Sequence, residues 1–479
     1  MLRLSILIAV ALFSVTTRAQ ICNGSLGDPA VNLTFGTAGN TGPSAFVPSS
    51  SYIYQSSACP NDGYYTITSS SADCFGNSWH FVTGDHTGGG NFMLVNASYQ
   101  PGDFFVDSVT DLCPNTTYEF AAWVMNVMKP VNSILPNLTF SIETPTGSLL
   151  GQFHTGDIAV TAAPLWQQYG LFFTTPATNA KIVLRITNNA PGGIGNDLAL
   201  DDITFRPCGE KVSATIQGSS NDTINICEGN TNSYTFKSGI SSAYISPVFQ
   251  WQVSKDSANS WQDIAGADTP SYTRLPTGAG SYWYRLTVTE ASSAGISSCR
   301  IASNLVIINV HAKPVVDAGP DRVYIVGYPV TLPGVVAGEE PTYTWSPAIS
   351  ISDINVLNPV VSPPADITYI LSAFSSFGCM NEDSVHVKVV AGIFVPTAFT
   401  PNGDGKNDTW NIPFLDPSFG AEVSVFNRWG QLVYHITGST VSWDGTINGV
   451  PQSPGTYVYL VIFKNAPFKM MSGTLTLIR

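Results

Sequence analysis

Apolar residues along this chain recur at every second position or in short unbroken runs, and nowhere over a long stretch at helical spacing. Tyr118-Glu119-Phe120-Ala121-Ala122-Trp123-Val124-Met125 and Lys181-Ile182-Val183-Leu184-Arg185-Ile186 are typical. Such segments bury one face or both as strands. Between them 42 Gly and 32 Pro supply turns and break helices, so the chain predicts as all-β. Its 479 residues exceed a single hydrophobic core and imply roughly three or four domains.

The formal net charge of −13 and the lack of any basic run argue against nucleic acid, whose phosphates need clustered Lys and Arg. Arg3, the apolar residues 4–13 and Thr17-Arg18-Ala19 read as a signal peptide over residues 1–19. The apolar run is too short for the roughly 20 residues of a membrane span, and no later segment offers one. Cys22 lacks a lipobox before it, so lipidation is not expected. The chain reads as exported and not integral to a membrane.

An exported chain permits disulfides, and eight cysteines are present. Cys227 with Cys299 is the best-defined pair within one domain, and Cys22 with Cys208 follows if the first domain brings its ends together. Two domains hold odd numbers, so each leaves a free thiol unless a bridge crosses between domains.

Residues 20–209 form the first unit, whose period-two strands suggest a jelly-roll sandwich of two sheets. Residues 210–312 carry Phe249-Gln250-Trp251-Gln252 and Gly280-Ser281-Tyr282-Trp283-Tyr284, which resemble the central strands of an immunoglobulin-like domain with Trp251 in its core. Residues 313–391 contain Val316-Asp317-Ala318-Gly319-Pro320-Asp321 and Tyr343-Thr344-Trp345-Ser346-Pro347, and resemble polycystic-kidney-disease-type (PKD) repeats. That resemblance places a cysteine where Ile325 stands, which leaves Cys379 without its partner.

Residues 392–479 hold four motifs in order: Pro401-Asn402-Gly403-Asp404-Gly405-Lys406-Asn407-Asp408, Asn427-Arg428-Trp429-Gly430, Trp443-Asp444-Gly445 and a final strand ending at Arg479. They resemble the gliding-motility-associated C-terminal domain of Bacteroidetes, the type B sorting domain of the type IX secretion system. The resemblance implies export by that machinery to the outer surface or the medium. Trp429, Trp443 and Tyr457 are expected as core anchors of a small sandwich that folds by itself. The Asn402–Asp408 loop has the oxygen spacing of a calcium site, but Lys406 interrupts it, and a hydrogen-bonded turn is the favoured reading.

In the first unit, Asp85-His86-Thr87-Gly88-Gly89-Gly90-Asn91 and Leu198-Ala199-Leu200-Asp201-Asp202-Ile203-Thr204-Phe205 resemble MAM-type adhesion domains, galactose-binding-type folds and carbohydrate-binding jelly rolls. Strict alternation puts Asp201 on one inward face with Ala199, Ile203 and Phe205, where a bare carboxylate is costly. The resemblance makes Asp85 and Asp201 candidate ligands for a structural calcium or sodium ion, although Gly36 stands where relatives carry a Glu.

Glu119 and Trp123 share one strand face, and Lys181, Arg185, Thr187 and Asn189 share another. Those faces offer Trp123, Glu119 and Arg185 as a ligand-binding surface, against the plainer reading of Trp123 as a core residue. No nucleophile or metalloprotease motif accompanies His80, His86 or His154, so no enzyme is expected. Asp107-Ser108-Val109, Asp222-Thr223-Ile224, Asp256-Ser257-Ala258 and Asp383-Ser384-Val385 resemble bacterial O-glycosylation sites. The expected function is an exported adhesin or polysaccharide-binding protein, followed by a non-binding surface scaffold and then a secreted hydrolase.

Overall fold

The structure is a computed structural model describing residues 22–36, 50–130, 132–178, 181–275, 277–465 and 470–479; the signal-peptide reading lies outside them. The described chain is a series of β-sheets with one four-residue helix and a few 3-10 turns. Two compact units are resolved, the first holding residues up to 309 except 225–230 and 277–280, which group with 310–479 in the second.

The first unit begins with β1 (Ser25–Leu26), β2 (Val31–Leu33), β3 (Ile53–Tyr54), β4 (Tyr64–Thr68), β5 (Phe92–Asn96) and β6 (Gly102–Val109). It continues with β7 (Thr117–Asn126), β8 (Asn137–Glu143), β9 (Leu149–Asp157), β10 (Gln167–Thr174), β11 (Ile182–Asn188) and β12 (Leu198–Gly209). One sheet runs β10-β7-β12-β5-β4-β3, with β1 and β2 added on β12; the other runs β6-β11-β8-β9. Between them lie Phe120, Ala122 and Val124 of β7, Phe140 and Ile142 of β8, Leu184 and Ile186 of β11, and Leu200, Ile203 and Phe205 of β12. Alternation therefore leaves Glu119, Ala121 and Trp123 on the opposite, outer face of β7.

β12 does not keep its alternation. Leu198 and Leu200 enter the main core, and so do Ile203 and Phe205, because the pairing with β7 slips between Asp201 and Thr204. Asp202 takes φ +44 at this bulge, a conformation that Asp tolerates better than most side chains. Asp201 consequently shares a face with Ala199 but not with Ile203 and Phe205, contrary to the expectation from strict alternation. It lies under the 85–91 loop rather than in the sandwich core, and is fully buried there.

The same unit contains the second sandwich, where the Pro247–Ser254 strand pairs antiparallel with Gly280–Glu290. Trp251 is buried at its centre and its indole N–H donates to the Thr269 carbonyl at 3.0 Å. Phe236, Tyr272 and Tyr284 complete the aromatic cluster.

In the second unit, Arg322–Ile325 pairs parallel with Met380–Val390, and Trp345 is buried in the adjoining core. The C-terminal sheet orders as Ala398–Phe399, Met470–Leu477, Gly455–Phe463, Ala421–Phe426 and Leu432–Thr437. Its core holds Trp410, Trp443 and Tyr457. Gly445 has φ +77, and a Cβ there would meet the Leu477 side chain at 2.8 Å, so this position requires glycine. Trp429 departs from expectation: it is 77% exposed on a turn and anchors no core. Ile325 belongs to the same core as Phe399 and Trp443. The buried Asp416 carboxylate accepts the Val323 N–H at 2.8 Å and faces Arg322 at 3.5 Å. In the Asn402–Asp408 loop, Asp408 accepts the N–H groups of Asn402, Gly403 and Gly405, and these hold its carboxyl below the ordinary range despite some desolvation.

All eight cysteines are paired: Cys22–Cys208, Cys59–Cys74, Cys113–Cys299 and Cys227–Cys379. The expected Cys227–Cys299 bridge is not formed. Cys299 instead packs against the first-domain core beside Cys113, and Cys227 reaches Cys379, so the odd counts are resolved by bridges between domains. Non-reducing peptide mapping of the secreted protein is expected to recover Cys113–Cys299 and Cys227–Cys379 peptides. Removing the Cys113–Cys299 bridge should cost roughly 2–5 kcal/mol in urea unfolding; recovery of a Cys227–Cys299 peptide would refute this arrangement.

Candidate functional site

The bulge in β12 turns two adjacent carboxylates toward the outer face of the larger sheet. The Asp201 Oδ2 accepts the backbone N–H of His86 at 2.9 Å, and the Asp202 Oδ2 lies 2.7 Å from His86 Nδ1. The imidazole stacks on the Trp123 indole, with ring centroids 3.7 Å apart and planes 17° from parallel. Trp123 stands opposite Asp201 in the β7–β12 register and opposite Gln168 on β10. Three strands, β7, β10 and β12, and one loop thus converge on this face.

They enclose a cavity of about 440 Å³ lined by His86, Glu119, Trp123, Gln168, Asp202 and Arg206, among others. Trp123 is half-buried, not a core residue. Glu119 is buried and accepts the Cys22 backbone N–H at 2.5 Å. The cavity therefore combines one aromatic plane with carboxylate, amide and guanidinium groups held on rigid strands.

The sequence-derived ligand residues are only partly brought together. Glu119 and Trp123 meet in the cavity. Arg185 does not join them, because β11 belongs to the other sheet, where its guanidinium is hydrogen-bonded to Asp103 and lies 3.5 Å from Glu143. Asp103 also accepts from Thr187 at 2.6 Å, so that face is a self-satisfied polar ladder.

The two proposed metal ligands also differ in their surroundings. Burial pushes the Asp85 carboxyl up, but the N–H of Gly90, the Thr87 hydroxyl and the N–H groups of Gly89 and Gly88 outweigh it and hold the group below its ordinary range. Its oxygens are committed to that turn: Oδ1 accepts from Gly88 and Gly89, and Oδ2 from Thr87. Asp201 is the opposite case. Burial raises its carboxyl to about 8, with the Asp202 charge adding to the effect, and its Oδ1 is buried without a hydrogen-bond partner. Among the described residues, ligand atoms of His86, Asp201 and Asp202 lie within 4.8 Å of one another, and Asp85 is not in that group. Asp201 thus keeps one carboxylate oxygen without a hydrogen-bond partner, whereas both oxygens of Asp85 are engaged by its own turn.

His86 and Asp202 entered the sequence reading only within their motifs and not as binding residues, and Gln168 and Arg206 escaped it. One signal was available: bulky apolar residues at 198 and 200 and then at 203 and 205 shift phase across the acidic pair, which is how a bulge is written in a strand.

Residues 393–477 match the family described as the CHU_C type IX secretion signal domain, which marks the chain for export by that system to the cell surface or beyond. No curated protein matches the chain. Similar solved structures include an arabinose-bound α-L-arabinofuranosidase, at 14% identity and TM-score 0.25 over 38% of this chain and 27% of that one. The EC21–23 fragment of human CDH23 aligns at 11% identity and TM-score 0.20 over 56% of this chain and all of that one. A family 16 carbohydrate-binding module aligns at 20% identity and TM-score 0.17 over 25% of this chain and 77% of that one. Scores this low carry no argument about function. No helix among the described residues is long and apolar enough to cross a membrane.

The bulge itself is testable through Asp202. Replacing Asp202 by Val is expected to cost about 1–2 kcal/mol more in urea unfolding than replacing it by Gly, because both lose the His86 partner but only Val resists the left-handed backbone. Equal losses would contradict the bulged conformation.

Proposed function

We propose that the first domain binds a glycan in the cavity between Trp123 and Arg206, making the exported chain an adhesin or polysaccharide-binding protein. The observation that carries this reading is the Trp123 indole, stacked on one side by His86 and lining the cavity with Glu119, Gln168, Asp202 and Arg206. A sugar ring offers C–H groups to an aromatic plane and hydroxyls to carboxylates, amides and guanidinium. The cavity supplies both on residues fixed before ligand arrives, which lowers the ordering cost of binding.

The reading is of a binder and not a hydrolase. What supports it is that a glycosidase needs two carboxylates free to work across a sugar, and the two lining this cavity are already engaged, Glu119 by the Cys22 N–H and Asp202 by the His86 imidazole. Affinity electrophoresis of the mature chain through gels containing starch, laminarin, xylan, mannan or soluble cellulose derivatives is the direct test. At least one polysaccharide should retard the protein, Trp123→Ala should abolish retardation with Tm within a few degrees of wild type, and no reducing sugar should be released. Retardation by none of them, or retention by the Trp123→Ala variant, would contradict the reading.

A calcium or sodium ion at Asp201 accompanies this proposal. The unpartnered Oδ1 supports it, and the Asp202 carboxylate is the neighbouring oxygen donor, since such ions take oxygen and not imidazole ligands. Bound there, a cation would neutralise two adjacent carboxylates and stiffen the floor beneath Trp123. Calcium is expected to raise Tm and EDTA to lower it, by about 2.7 kcal/mol of stability at a hundred times Kd, and Asp201→Asn should erase both responses. A wild-type Tm indifferent to calcium, sodium and EDTA would instead leave Asp201 as a neutral acid.

A further inference from the structure

We infer that the site continues beyond the first domain onto a second aromatic platform at Trp261, so that the ligand class is a linear oligosaccharide spanning several sugar residues and not a single terminal sugar. This rests on the glycan reading of the first cavity. Pro29 forms part of the wall of that cavity and also of a second, more open one of about 850 Å³ lined by Asp28, Asn259, Trp261 and Asp263. Residues 26–29 are the rib between them, with Leu26 facing the first cavity and Asp28 the second.

The second platform is built like the first. The Arg285 guanidinium lies 4.1 Å from the Trp261 ring centroid and covers one face, as His86 covers one face of Trp123. Arg285 is gripped in fork geometry by Asp28, at 2.8 and 2.5 Å, and its Nε donates to Gln252 at 2.7 Å. Asn259, Ser260 and Asp263 line the same cavity as the indole, held in place by hydrogen bonds from Asn259 and Ser260 to Asp256 and from Gln252 and Arg300 to Asp263. The half-buried Trp261 thus pairs an aromatic plane with hydroxyl-recognising neighbours.

The domains that carry the two platforms are tied together by Cys113–Cys299. A Cβ at Gly27 would meet the Arg300 carbonyl oxygen at 2.1 Å and Pro207 at 2.5 Å, so the rib and the second domain are in close contact. A chain long enough to reach both platforms gains the second contact as an intramolecular event, without a second association cost. A short fragment gains nothing from it.

The test uses the mature full-length chain and oligosaccharides of two and eight residues from starch, laminarin, xylan, mannan and cellulose, by isothermal titration. Wild type should bind one eight-residue oligosaccharide roughly ten- to a hundredfold tighter than its two-residue counterpart. Trp261→Ala should bring the longer chain down to the affinity of the shorter one and leave the shorter unchanged, Trp261→Phe should restore most of the difference, and Trp123→Ala should abolish both. Equal affinities for the two lengths, or an unchanged length dependence in Trp261→Ala, would overturn this inference and leave the first cavity as a glycan site. Loss of stability in Trp261→Ala with the length dependence intact would assign Trp261 to holding the domains together, and also overturn it. Binding of no oligosaccharide by wild type would overturn the glycan reading itself.

Discussion

One extra residue in β12 underlies the whole candidate site. Without the slip between Asp201 and Thr204, Asp202 would be drawn to the core face, His86 would lose its partner and Trp123 its stacking neighbour. A bulge of this kind costs a ladder hydrogen bond and places a non-glycine residue at positive φ. The surrounding sheet is extensive enough to tolerate that: β12 is paired along both edges, with β7 on one side and β5 and β2 on the other. The strain is therefore held where the chemistry gathers, in a strand too well paired to relax it.

Rigidity is the second theme. The first domain is closed on itself by Cys22–Cys208 and joined to its neighbour by Cys113–Cys299. Arg285 reinforces that join with a charge-assisted fork onto Asp28, its guanidinium braced within the second domain by the Trp261 ring. Within the second unit, the sorting domain is likewise not closed by its own residues alone. Ile325 enters its core, and the buried Asp416 carboxylate is satisfied in part by the Val323 N–H. A carboxylate so buried is expensive without partners, so the segment that carries the export signal draws part of its stability from the strand at 322–325.

Much of this was written in the sequence, and the failures have physical reasons. The all-β class followed from period-two patterning, and the export domain from four ordered motifs, because both are local signals. Glu119 and Trp123 shared a face by simple alternation and did meet in the cavity. Alternation misplaced Asp201 because it assumes an unbroken strand, although the phase shift from Leu200 to Ile203 signalled the break. Arg185 was grouped with Trp123 because a sequence does not say which sheet a strand joins. The disulfides Cys113–Cys299 and Cys227–Cys379 join distant segments, separated by 186 and 152 residues, and local pattern says nothing about such pairs. Trp429 was read as a core anchor from its type alone; the turn that presents it, with the Asn427 side chain accepting two backbone N–H groups, exposes it instead.

The central claim is that the face created by the bulge holds a sugar against Trp123. Oxidative footprinting of the tryptophans in the mature chain, with and without a retarding polysaccharide, tests it most directly. The account predicts that Trp123 is oxidised in the free protein and protected in the complex, while the exposed Trp429 reacts equally in both. Protection at Trp429 with Trp123 unchanged would place the ligand on another surface and contradict it.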